Sequence, residues 1–388
     1  MRKFDYRYIV PIAISSALLI YVWHDTGRRR RLEEHYREAL RKQQSGNVEG
    51  ALDEYNQAVA LAPGKSVPYG KRGNFRFAVG DYRKAIADYD TALALDHNAA
   101  VVYFNRGLAR AALEDFTAAA DDFSKAVELN PLYFDAFYYR AVVRVEMKDY
   151  RGALSDADEV LEFRRDDARA YYIRGYALSE LGEPGRARND LEMSIRLDPE
   201  YAYPYCRLGF LKYREGQLRE ALADLDIAIK LKPDFSRAYY RRGEVWEALD
   251  EPRTALQDYD RAIALNPDRN LDCYYRRGDL KYAQNNLIGA IIDYDRIAYL
   301  KPQEVRAFIG RAAVKNALGE YENALEDLRR ARTINPRYAP AWLFESRVLE
   351  RLGRIREAEA SCAKFLELKP GNREGVEWMK KLRQMTGS

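Results

Sequence analysis

Beyond residue 31, small, large and charged positions recur along the chain with a period of 34 residues. A glycine is followed twelve residues later by alanine, four further on by an aromatic residue or leucine, then by alanine after three and proline after five. Gly107, Ala119, Phe123, Ala126 and Pro131 form one such set, and Gly209, Ala221, Leu225, Ala228 and Pro233 another. Gly243, Ala255, Tyr259, Ala262 and Pro267 are a third. The spacing predicts a helical hairpin. A small residue on the first helix and an alanine on the second let the backbones approach closely, while large residues such as Tyr239 and Tyr259 fill the space on either side. Proline after the second helix stops it. One hairpin cannot bury its apolar faces alone, so neighbours must stack.

Ten units follow, beginning at Leu32, Ser66, Ala100, Phe134, Ala168, Ala202, Ser236, Leu271, Val305 and Ala339. An extra residue after the seventh explains why the pentapeptide YYRRG at Tyr239 returns at Tyr274, 35 residues later. Four units replace the glycine with Ala39, Ala141, Ala312 or Ser346, all small. Residues 373–388 carry one more amphipathic stretch, in which Val376 and Met379 are expected to lie against the last unit while Glu377, Lys380 and Lys381 face water.

This spacing resembles the tetratricopeptide repeat over residues 32 to about 372. The resemblance implies a right-handed α-solenoid of stacked helix–turn–helix repeats, whose first helices line a concave surface that holds peptides. The lysine-then-asparagine pattern with which some family members grip chaperone tails is missing from the inner face of every unit, so that ligand is not expected.

Residues 8–23 contain no charge and are flanked by basic residues and by Tyr6, Tyr8, Tyr21 and Trp23, as at a membrane interface. The run ends in Tyr-Val-Trp-His-Asp, a poor cleavage site, and no cysteine precedes Cys206. The expectation is one uncleaved transmembrane helix within residues 1–31, followed by ten repeats over 32–372 and a capping helix and tail over 373–388. The arginines Arg28 to Arg31 after the apolar run favour retention of the body in the cytoplasm.

Charge changes the picture in one respect. Residues 1–31 hold seven basic and two acidic side chains, or +5, so the net +4 of the chain leaves −1 for the rest. The body has no electrostatic case for nucleic acid. Cys206, Cys273 and Cys362 are odd in number and widely spaced, and with three histidines no metal site is expected. No nucleophile elbow, His-Glu-x-x-His pair, phosphate loop or Cys–His arrangement occurs, so neither an enzyme nor a cofactor nor a small-molecule substrate is expected.

Seven units carry an arginine on the first helix and an aspartate sixteen residues on: Arg72 with Asp88, Arg106 with Asp122, Arg140 with Asp156, Arg174 with Asp190, Arg242 with Asp258, Arg277 with Asp293, and Arg311 with Asp327. On antiparallel helices these can meet as planar ion pairs, a structural ladder rather than a phosphate site. Three residues before each of these arginines stands a tyrosine or phenylalanine, read as packing between the helices. The second tyrosine and first arginine of YYRRG differ. By the resemblance they face the groove, and Tyr172, Tyr176, Arg207, Phe210, Tyr213, Tyr240, Arg241, Tyr275, Arg276 and Tyr282 are the candidate peptide-binding residues. Amphipathic aromatics with arginines suit a peptide bearing acidic groups. The competing reading has Glu244 and Asp279 neutralise Arg241 and Arg276 on their own helices.

The function expected is a membrane-anchored scaffold that binds peptide segments of protein partners. A regulator of envelope or lipopolysaccharide assembly with a similar layout is one alternative, although its C-terminal four-cysteine metal knuckle is missing. An RNA-binding helical-repeat protein is the other.

Overall fold

The computed structural model describes residues 26–386, which form twenty-one α-helices and no strand. The apolar run at residues 8–23, and with it the expected anchor, lies outside the described residues. Among those described, no helix is long and apolar enough to cross a membrane. The helices fall into two compact units, one ending at Leu211 and the other beginning at Lys212.

The N-terminal unit contains α1 (Thr26–Gln44), α2 (Val48–Leu61), α3 (Ser66–Ala78), α4 (Tyr82–Leu95) and α5 (Ala100–Ala112). It continues with α6 (Phe116–Leu129), α7 (Phe134–Glu146), α8 (Tyr150–Phe163), α9 (Ala168–Glu180) and α10 (Pro184–Leu197). The division runs through α11 (Ala202–Arg214). The C-terminal unit holds α12 (Leu218–Leu231), α13 (Ser236–Ala248), α14 (Pro252–Leu265), α15 (Leu271–Ala283) and α16 (Leu287–Leu300). After these come α17 (Val305–Ala317), α18 (Tyr321–Ile334), α19 (Ala339–Arg351), α20 (Ile355–Leu368) and α21 (Arg373–Thr386). In each unit helices pair as hairpins, α3 with α4 or α13 with α14, and each second helix packs on the first helix of the next hairpin. Helix α1 starts ahead of Leu32, so the basic block is helical and continuous with the first hairpin.

Local chemistry sets the helix limits. The side chains of Asn47, Asp81, Asp115, Asp149 and Asn286 each accept a backbone N–H in the first turn of a second helix. Pro184 and Pro252 open two others, where their missing N–H costs nothing. The turn inside each hairpin requires a positive φ, met by Gly80 at 83° and Gly182 at 85° but by Glu114 at 65° and Lys148 at 63°. A side chain there is strained. Lys148→Gly is therefore expected to stabilise its hairpin by roughly 0.5–1 kcal/mol, read as a higher urea midpoint with an unchanged slope.

The small-against-large rule holds at atomic contact. A Cβ placed on Gly107 would lie 2.8 Å from the Phe123 ring, and one on Gly73 or Gly243 2.7 or 2.6 Å from Tyr89 or Tyr259. Phe123, Tyr89 and Tyr259 are fully buried. Where the first helix bears Ala141 or Ala312, the second answers with the smaller Ala157 or Leu328.

All seven predicted Arg–Asp pairs form. Arg72, Arg106, Arg140 and Arg242 reach their aspartates at 2.6–2.7 Å through Nη2, and Arg174 reaches Asp190 at 2.7 Å through Nε. Arg277–Asp293 and Arg311–Asp327 complete the set. The structure adds two features. A second cation four residues after the arginine meets the same carboxylate: Arg76 on Asp88, Arg110 on Asp122, Arg144 on Asp156, Lys281 on Asp293 and Lys315 on Asp327. In the sixth hairpin, where Leu208 replaces the arginine, Lys212 holds Asp224 at 2.7 Å. The free end of each ladder guanidinium also reaches back to the preceding hairpin, Arg106 to Asp90 and Arg242 to Asp226 at 2.6 Å. The ladder thus ties each hairpin internally and to its neighbour.

One expectation is extended and one is corrected. The aromatic residue three before the ladder arginine packs between the helices, as the buried Phe137, Tyr274 and Phe308 do. It also lies under the guanidinium, as Tyr103 does under Arg106 at 5.4 Å, and Tyr239 and Tyr274 donate to the carbonyls of Pro233 and Pro267 in the preceding turn, as Trp342 at the same position of the last repeat does to Pro336. On α21, Val376 is half exposed; Leu382 is fully buried, with Trp378 and Met379 packed beside it. Leu382 lies six residues past Val376, so the buried stripe is rotated around the helix from the expected one.

Candidate functional site

Five candidates sit on two successive first helices of the C-terminal unit, with Tyr240 and Arg241 on α13, Arg276 beside Tyr275 on α15, and Tyr282 in the last turn of α15; the next first helix, α17, adds Arg306. On α13, Arg241 Nη1 lies 2.6 Å from Glu244 Oε2, and the Tyr240 hydroxyl donates to the other oxygen at 3.1 Å. Glu244 is buried, so this first arginine is neutralised on its own helix as the competing reading has it.

Arg276 is not. Asp279, the expected partner, accepts the Tyr294 hydroxyl instead. Arg276 reaches across to α13, at 3.4 Å from Glu244 and 3.5 Å from Glu247, with 44% of its side chain exposed. These distances are at the outer limit of a hydrogen bond, so much of the guanidinium's donor capacity is turned to solvent. Glu247 also accepts the Tyr259 hydroxyl, and burial pushes its carboxyl above the usual range. Tyr282 on α15 is exposed, whereas Tyr275 is buried with the Arg306 guanidinium 4.5 Å from its ring.

On α9 and α11, Tyr172, Tyr176 and Arg207 are enclosed by their neighbours. Tyr172 and Tyr176 on α9 are buried; Tyr172 packs edge-on against Tyr201, their ring centroids 5.5 Å apart. Arg207 on α11 is only 5% exposed, lying 3.9 Å from the Tyr176 ring and 5.1 Å from that of Phe210. It donates to the Ser179 hydroxyl at 2.9 Å and pairs with Glu180. Phe210 is half-buried, as is Tyr213 in the last turn of α11.

The candidates therefore separate into two groups. Tyr172, Tyr176, Arg207 and Tyr275 are occupied in packing between hairpins, whereas Phe210, Tyr213, Tyr240, Arg241, Arg276 and Tyr282 keep some accessible surface. Glu247 and Arg306 belong to the second cluster and were not among the sequence candidates. The three-residue step from Glu244 to Glu247 on one helix face could have found the former. Arg306 has no sequence signal, because its ring contact depends on how α17 stacks on α15. Among the described residues, no group of three His, Cys, Asp or Glu side chains could hold a metal ion.

Comparison with known proteins fits this hairpin geometry. Family models described as TPR repeat or tetratricopeptide repeat match residues 73–114, 104–146, 168–201, 236–269 and 309–373. These are tetratricopeptide repeats. A tetratricopeptide repeat protein from Parabacteroides merdae ATCC 43184 superposes with a TM-score of 0.59 at 19% identity, covering 65% of this chain and 99% of that one. The structure of the APC/C hetero-tetramer Cut9–Hcn1 gives 0.53 at 13% identity, covering 90% of each chain. Identities this low show a shared fold and nothing about ligands. No protein of curated function matches the sequence. Tetratricopeptide repeats are typical of protein-interaction scaffolds, which use the extended surface that stacked hairpins create.

Proposed function

We propose that this tetratricopeptide-repeat protein is a membrane-anchored scaffold that holds acidic peptide segments of partner proteins against the first-helix face of its repeats. The observation that carries the reading is Arg276, a guanidinium held at only 3.4 and 3.5 Å by two carboxylates, with 44% of its side chain exposed. A peptide carboxylate offers it the planar, two-point partner it lacks. Tyr240 and Tyr282 supply aromatic surface that orders at little entropic cost. The uncharged run at residues 8–23 is the proposed tether, and the arginines that follow it place the repeats on the cytoplasmic side in this reading.

The test compares the full-length protein with Arg276→Glu and Arg241→Glu, each carrying a photo-crosslinking residue at Tyr282. Arg276→Glu is expected to reduce crosslinked partner at least tenfold, and Arg241→Glu, whose guanidinium is already neutralised, much less. An unchanged partner profile in Arg276→Glu removes this arginine from the site. Alkaline phosphatase and fluorescent-protein fusions after Ser388 read the orientation separately.

A further inference from the structure

The surface of α16 breaks the pattern set by the other repeats. Ile288, Ile292 and Tyr299 on its outer face are 65%, 59% and 75% exposed. The equivalent positions are Arg253, Gln257 and Ala264 in the preceding repeat and Glu322, Glu326 and Thr333 in the following one. In each of the nine other units these three positions are polar or small. The same fold thus solvates this face nine times and leaves it apolar once, so hairpin packing does not require the apolar residues. Exposed large apolar side chains aligned on a face that the other repeats keep polar mark an interaction site.

Together with Asp295, the three form an i, i+4, i+7, i+11 stripe, the seam along which one helix packs on another. Asp295 is the only charge in the stripe, and Arg311 neutralises it at 2.6 Å. Arg296, at the edge of the stripe, pairs with Asp268 and lies 5.3 Å from the Tyr299 ring.

We infer that this face binds a second copy of the chain, α16 packing antiparallel on α16 about a two-fold axis. The flanking charges favour this occupant. Helix α18 exposes Glu322 and Glu326 in its first half and Arg329 and Arg330 in its second. An axis through the middle of α16 places Glu326 opposite Arg329 of the partner copy, so each α18 complements its own image. Ile288 then meets Tyr299 of the partner copy, and Ile292 lies beside the axis. Asp295 of each copy then faces Ile292 of the other, its charge already answered by Arg311 on its own chain. The fourteen residues of α16 span about 21 Å, a short contact of the kind that joins reversible pairs. The dimer is accordingly reversible.

Sedimentation equilibrium of the full-length protein is expected to give a mass that rises with concentration toward twice the monomer. Ile288→Glu/Ile292→Glu raises the dissociation constant at least tenfold while the circular-dichroism melt, taken at a concentration where the wild type is monomeric, stays unchanged, since both side chains are solvated in the single chain. For orientation, Ile292→Cys should form a disulfide with its own image on oxidation; Cys206, Cys273 and Cys362 are buried and do not compete. Ile288→Cys should not, because its images stand about 16 Å apart along the antiparallel helices, but should link to Tyr299→Cys in a mixed sample. Self-linkage of Ile288→Cys overturns the antiparallel geometry. A wild-type monomer at every concentration overturns the dimer, as does a photo-crosslinker at Ile292 that captures a different protein and not this chain.

Discussion

Replacing Asp293 with alanine is expected to destabilise the α15–α16 hairpin by about 3–5 kcal/mol, the usual result of removing one partner from a buried ion pair. Asp293 is completely buried and answers two cations, Arg277 and Lys281, whose side chains are 14% and 19% exposed. The loss comes chiefly from stranding those charges rather than from the attraction itself. Two further variants separate these causes. Asp293→Asn keeps the volume and one acceptor and should lose less. Arg277→Leu/Lys281→Leu/Asp293→Leu removes the carboxylate together with both cations and should recover much of the loss. Native-state hydrogen exchange of α15 and α16 is the suitable measurement, because stacked repeats open locally and one global midpoint would average the effect. If Asp293→Ala leaves exchange in this hairpin unchanged, the ladder contributes no stability here.

The second large effect concerns the contact between Gly107 and Phe123. Phe123→Ala should cost about 3–5 kcal/mol, because a fully buried ring leaves a cavity that the close-packed α5–α6 interface cannot collapse. Gly107→Ala should cost about 1–3 kcal/mol for the opposite reason, since its methyl group would lie 2.8 Å from that ring. The two are in direct contact and will not add. The double variant places a methyl group where the ring stood, reproducing the pairing of Ala141 with Ala157, and should be more stable than the sum of its parts. Strict additivity would mean that the two residues do not share one space.

Both predictions rest on features legible in the chain before any coordinates. The spacing of sixteen residues from arginine to aspartate, and from glycine to aromatic, is the distance from one arm of a hairpin to the facing point on the other. Contacts within a hairpin are therefore written into the sequence as a fixed interval, and all seven Arg–Asp pairs were found by counting. The second cation on five of these carboxylates stands at an equally fixed interval, four residues past the arginine, but the position is less uniform: it holds arginine in three repeats, lysine in two, and Leu178 or Trp246 in the others.

The candidate site was only partly legible. The sequence put Tyr172, Tyr176, Tyr240 and Tyr275 on one type of helix face, yet Tyr240 retains some surface while the other three are buried. Arg241 and Arg276 occupy the same position in adjacent repeats, yet one is neutralised by its own helix and the other reaches to a different one. The apolar run at residues 8–23 is known from the sequence alone.

What the sequence determined by itself is the hairpin: its two helices, their close approach and the ion pair across them, because these depend on intervals within one unit. Only the tertiary structure decided which aromatic and charged side chains remain accessible. Exposure is set by whatever the next hairpin lays over a residue, and the side chains doing the covering vary from unit to unit while the backbone period does not.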